Sequence, residues 1–242
     1  MKWIAHRGAS LEMPENTLAS LRLGSALGAY AVECDVRRLS DGEYVIYHDG
    51  TLAPLTGGTD NRPVESLTCT ELAAALRTYG RTLMRFSDVL SYYRSRAAVL
   101  LHIYLSPEDL TDAFLRSMAD APFRFVCGVP NAAYVRVCSR YFPPAQILAF
   151  MDDKNAYRDC FAAGAGNIRL WENWIPEIHP DMVHDACPGA DVWIMSNRPE
   201  TGMNGSVASF ETLIPLHADG ILLNDIRLGV TYAKAHGIAI EL

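Results

Sequence analysis

The sequence predicts an α/β fold: a single (β/α)8 TIM-type barrel spanning residues 1–242, with a β-hairpin extension after the second barrel strand. Two observations point to the barrel. Short apolar runs alternate with helix-period segments along the whole chain, which implies a parallel sheet with helices outside it. Eight such runs occur, the number that closes into a barrel. The hairpin rests on Asp41-Gly42, which separates two strand-like runs, Val32–Val36 and Tyr44–His48.

The predicted elements follow in order. Lys2–Ala5 is the first strand, and Thr17–Gly28 has helical spacing. Ala31–Asp35 is the second strand, with Leu39–His48 as the returning arm of its hairpin. If Asp41 and Gly42 are the two turn residues, Asp35 stands opposite His48. Then come helix Ser87–Arg96, strand Val99–Leu105, helix Pro107–Ala121, strand Arg124–Val129 and helix Ala132–Tyr141. The second half repeats the rhythm: strand Gln146–Met151, helix Ala156–Gly164, strand Asn167–Trp171, helix Pro180–Ala186, strand Asp191–Met195, helix Val207–Leu216, strand Gly220–Leu223 and helix Gly229–His236. A doubly wound open sheet is the competing topology, but no GxGxxG turn follows the first strand.

Composition sets the function classes. The chain has 242 residues, half of them apolar and a fifth charged. A chain of this size buries roughly three quarters of its extended surface. The net charge of −7 argues against a nucleic-acid partner. No apolar run reaches the length of a membrane span, so stable membrane insertion is not expected. Six scattered cysteines without a CxxC pair read as reduced core thiols, which places the protein in the cytoplasm.

The chemistry should lie at the C-terminal ends of the barrel strands. The first strand runs into His6-Arg7, and the second carries Glu33 and Asp35. These two carboxylates are two residues apart and leave the same face. Converging there, they need a shared cation or proton, and their oxygens suit Mg²⁺ or Ca²⁺. The alternative is a solvated Glu and a salt bridge from Asp35 to Arg37 or Arg38. His6 and His48 flank the acids and suit acid–base work. Arg7 could clamp a phosphate or form an ordinary ion pair. His102 reads as a hydrogen-bonded interior residue. Asn197 and Asp225 lie at the ends of the seventh and eighth strands. The glycine-containing stretch Arg198–Ser206 reads as a loop at the same face.

His6-Arg-Gly-Ala-Ser10, Pro14-Glu-Asn-Thr17, Glu33-Cys-Asp-Val36, Asp41-Gly42 and His48-Asp49 together resemble the glycerophosphodiester phosphodiesterase family. The resemblance is strongest over residues 6–52, with Asp219–Asp225 similar to the family's closing strand. It implies a metal-dependent barrel enzyme acting on a small phosphodiester and releasing glycerol 3-phosphate and an alcohol. By the same resemblance, His6 and His48 would be the acid–base pair, Glu33 and Asp35 metal ligands, and Arg7 the phosphate contact. Glu15, Asn16, Asn197 and Asp225 would line the site. Tyr104 and Ser106 stand where the family places a third carboxylate and a lysine. A weakened or inactive phosphodiester-binding member of the same fold is the alternative.

Overall fold

The computed structural model describes residues 1–242. Its ten strands are β1 (Lys2–Ala5), β2 (Ala31–Arg38), β3 (Tyr44–Ile46), β4 (Met84–Arg85), β5 (Ala98–Ile103), β6 (Phe125–Val129), β7 (Ile147–Ala149), β8 (Asn167–Trp171), β9 (Asp191–Met195) and β10 (Gly220–Leu223). Eight of them form a closed parallel ring, β1-β2-β5-β6-β7-β8-β9-β10, and β10 pairs back onto β1. Closure excludes the open doubly wound sheet. β3 and β4 lie outside the ring, β3 antiparallel to β2 and β4 antiparallel to β3.

Strand alternation divides the core into two layers. Ile4, Ala31, Leu100, Val126, Leu148 and Trp193 fill the barrel interior. Their neighbours, including Trp3, Val32, Leu101 and Ile168, pack outward against the helices. Helix α1 (Leu18–Ala26) starts at a capping box in which Thr17 and Ser20 bond each other's backbone. A four-residue helix, α2 (Ala53–Thr56), and α3 (Cys69–Thr78) follow the hairpin. Leu52, Val64, Leu67, Leu72 and Leu76 pack this segment onto Leu39 and Val45 in a separate apolar cluster. The remaining helices are α4 (Phe86–Tyr92), α5 (Asp112–Ala119), α6 (Ala132–Cys138), α7 (Tyr157–Ala162), α8 (Pro180–Ala186), α9 (Val207–Leu213) and α10 (Ile226–Ala235). None is long and apolar enough to cross a membrane. All six cysteines are buried and free.

The hairpin forms, but its register differs from the expected one. Leu39 N–H bonds Glu43 carbonyl, leaving Ser40-Asp41-Gly42 as a three-residue loop with Gly42 at φ 87°. The left-handed third position favours glycine. The extra loop residue shifts the pairing by one, so Asp35 faces Tyr47 and its carbonyl accepts from Tyr47 N–H at 2.9 Å. His48 lies one position beyond.

Helix α10 packs Gly229 against Trp3. A β-carbon there would come within 2.5 Å of the fully buried indole. Gly229→Ala should therefore destabilise the fold by about 1–3 kcal/mol, outweighing alanine's better helix propensity. Thermal unfolding checks this, and an unchanged midpoint would show that the indole can move aside.

Candidate active site

The interior face of each strand continues into the barrel mouth. Two residues beyond Ile4 is His6. Beyond Ala31 come Glu33 and Asp35, and beyond Leu100 comes His102. The parallel register sets Asp35 beside His102. Glu33 and Asp35 have no solvent exposure. One donor atom from each of Glu33, Asp35 and His102 lies within 4.8 Å of the others. His102 Nδ1 is 3.4 Å from Asp35 Oδ1 and 3.9 Å from Glu33 Oε1.

The chain itself satisfies only half of these carboxylate oxygens. Arg7 N–H donates to Glu33 Oε2 at 2.8 Å, and Asn16 Nδ2 donates to Asp35 Oδ2 at 2.8 Å. Glu33 Oε1 and Asp35 Oδ1 are buried with no hydrogen-bond partner, and both face His102. Buried, unpaired carboxylate oxygens are costly unless a cation joins them. Burial, followed by the neighbouring Asp35 charge, pushes the Glu33 carboxyl well above the usual range. Burial opposes ionisation of Asp35 as well. The close approach of His102, with His48 and Arg7 beyond, outweighs it and holds Asp35 below its ordinary value. The three residues thus fit a divalent cation.

The loop after β1 is held in an unusual backbone shape. Arg7 (φ 55°), Gly8 (φ 78°) and Asn16 (φ 57°) all adopt left-handed conformations. For Arg and Asn this is strained. The conformation turns Arg7 N–H toward Glu33 and lets Asn16 bond both the side chain and the N–H of Asp35. The Arg7 guanidinium bonds Glu15 at 3.0 Å and approaches Asp35 at 3.5 Å.

The two histidines have defined tautomers. Asn224 donates through Nδ2 to Asn204, so its Oδ1 accepts from His6 Nδ1–H at 2.7 Å. His6 Nε2 is left free, 3.9 Å from Glu33 Oε2. Burial, reinforced by the charge of Arg7, lowers the His6 pKa to about 4. His48 Nδ1 donates to Asp49 at 2.9 Å, again freeing Nε2. The guanidinium of Arg37 anchors the His48 carbonyl. Both imidazoles line one cavity of about 680 Å³ with Arg7, His102, Phe150 and Arg169.

The remaining expected residues divide. Tyr104 lines the cavity but is not the residue that meets the carboxylates from β5; His102 is. Period-two alternation puts Tyr104 one layer outward, with its ring 4.1 Å from that of His102 and 4.5 Å from the Arg37 guanidinium. Burial raises its hydroxyl pKa further above the ordinary value, which disfavours coordination. Ser106 bonds Asp109 at a turn. Asn197 bonds Asn173 N–H in a separate network around Glu172, Ser196 and Arg198. Asp225 caps α10 by accepting from Leu228 N–H. The adjacent Asn224 faces His6 instead, because it continues the interior face from Leu222. From the Arg198–Ser206 loop, Met203 reaches the cavity. Arg169 also lines the cavity; its signal in the sequence is a charge flanked by Ile168 and Leu170 within a strand.

The model of the glycerophosphoryl diester phosphodiesterase family matches residues 6–119. Over 56 residues the chain is 50% identical to human glycerophosphodiester phosphodiesterase 1, a stretch that is 23% of this chain and 17% of the human protein. Residues 6–119 are thus similar to this family. Solved structures extend the likeness in fold to the full barrel. A glycerophosphodiester phosphodiesterase from Thermotoga maritima superposes with a TM-score of 0.74 at 17% identity, covering 95% of this chain and 97% of that one. A phosphodiesterase from Oleispira antarctica, solved with the product sn-glycerol-3-phosphate, superposes at 0.60 with 19% identity and 97% coverage of both chains. The barrel fold is therefore shared over nearly the whole chain, although the aligned sequence similarity to the human relative is confined to a short stretch.

Proposed function

We propose that residues 1–242 form one catalytic domain, a metal-dependent cytoplasmic phosphodiesterase that hydrolyses glycerophosphodiesters to glycerol 3-phosphate and an alcohol. One observation carries this reading: two imidazoles with free Nε2 atoms line one cavity with His102, whose Nδ1 faces a buried, half-satisfied carboxylate pair. The Oleispira relative, bound to sn-glycerol-3-phosphate, supports the product class. Glu33, Asp35 and His102 would hold the cation. Bound there, it would supply Lewis-acid polarisation of a phosphoryl oxygen. A water attacks the phosphorus, and His6, neutral at physiological pH, accepts its proton at Nε2 as the new P–O bond forms. His48, its Nδ1–H held by Asp49, acts in its doubly protonated form and gives the Nε2 proton to the alcohol oxygen as the P–O bond to it breaks. Arg7 supplies positive charge beside the phosphoryl group while Glu15 and Asn16 fix its loop. Release of glycerol 3-phosphate from glycerophosphocholine, with and without chelator, tests the proposal. Binding without release in either condition would favour the non-catalytic alternative.

The acid pair suits Mg²⁺ or Ca²⁺, and the imidazole adds affinity for softer metals such as Zn²⁺. His102→Ala should weaken cation binding by about 10–100-fold, since losing a direct ligand costs at least as much as losing an outer partner. His102→Glu should restore affinity and shift preference toward Mg²⁺ and Ca²⁺. Calorimetric titration of the three ions reads both effects. Unchanged affinity in His102→Ala would remove His102 from the ligand set.

A further inference from the structure

The cavity holds four arginines, and three are already paired. Arg7 meets Glu15 and Asp35, Arg37 meets Glu65, and Arg38 meets Asp109. Arg169 has no carboxylate partner. It is 1% exposed, and its only hydrogen bond runs from one terminal nitrogen to the Met151 carbonyl at 2.9 Å. Nε and the other terminal nitrogen are buried without a partner. The guanidinium lies 4.4 Å from the ring centres of both Phe150 and Trp171, and 5.6 Å from that of Trp174. Asp152 lines the same cavity but makes no bond to it. Burial lowers the Arg169 pKa to about 9, so it remains cationic at neutral pH.

An unpaired cation is expensive in such a place unless an anion arrives with a ligand. The acidic cluster does not serve it. In the ring, β8 stands four strands from β2, on the opposite wall, and the Phe150 ring stacks 3.8 Å from His102 as well as beneath Arg169. A phosphoryl group held at the His6–Glu33–Asp35 wall leaves Arg169 facing the far end of the ligand. We propose that Arg169 forms a second oxyanion subsite, which takes an acidic group carried by the alcohol portion of the phosphodiester. This rests on the phosphodiesterase reading of the cavity. It makes diesters with a carboxylate or phosphate on the alcohol the preferred substrate class.

Glycerophosphoserine and glycerophosphoethanolamine differ only by the serine carboxylate, so their kcat/KM ratio isolates the subsite. The wild type should prefer the serine diester. Arg169→Met should reduce that ratio about tenfold or more, the weight of a hydrogen bond to a charged group, and Arg169→Lys should keep part of the preference. The melting temperature of Arg169→Met should not fall, because an apolar side chain replaces a buried unpaired charge. An unchanged ratio, whether through equal losses on both diesters or through none, would overturn the subsite. So would a lowered melting temperature without a change in ratio. If neither diester is hydrolysed, the phosphodiesterase reading fails, and calorimetric titration of the same two compounds still decides the subsite through the ratio of their affinities.

Discussion

Replacing His6 or His48 with alanine is expected to lower turnover of glycerophosphodiesters by about 10²–10⁴-fold, the usual weight of a positioned acid or base. The structure gives each imidazole one committed nitrogen and one free nitrogen facing the cavity. The wild-type rate should fall as His6 is protonated near pH 4, and the His6 variant should lack that acid limb. Cation affinity should survive in both, because neither ring is within the Glu33–Asp35–His102 triad. Wild-type turnover in either variant would exclude that residue from the proton transfers.

The second large effect is expected from the carboxylates. Exhaustive chelation, or Glu33→Gln, should reduce activity by about 10³-fold or more, corresponding to the several kcal/mol of Lewis-acid stabilisation lost. Re-addition of a divalent cation should restore the chelated wild type but not Glu33→Gln. Elemental analysis supplies an independent reading of occupancy. Full activity in a protein proven metal-free would refute the assignment of these carboxylates.

Strand positions were legible because burial on both faces of a parallel sheet leaves apolar runs. Lys2–Ala5, Asn167–Trp171, Asp191–Met195 and Gly220–Leu223 could be bounded from sequence as the structure bounds them. Pairing between distant strands was not legible. Nothing local to Leu100–Tyr104 says which residue stands beside Asp35; the resemblance puts the family's third carboxylate position at Tyr104, whereas the strand register puts His102 beside Asp35. The hairpin offered an Asp-Gly signal, but the turn uses three residues rather than two, and the register moved by one. Asn224 and Arg169 were within reach of alternation alone: both continue interior faces set by apolar residues two positions away. Short helical additions such as Ala53–Thr56 carry too few turns to leave a periodic trace.

The ring closes through β1 and β10, and His6 reaches across 218 positions to Asn224. During synthesis the amino-terminal half emerges first. It carries the acids, both histidines and His102, yet it lacks Asn224 and the strand that anchors β1 on its open side. The amide that sets the His6 tautomer therefore arrives last, together with the strand that closes the ring. Deletions that remove β10 would open the barrel and strip His6 Nδ1 of its acceptor in one step.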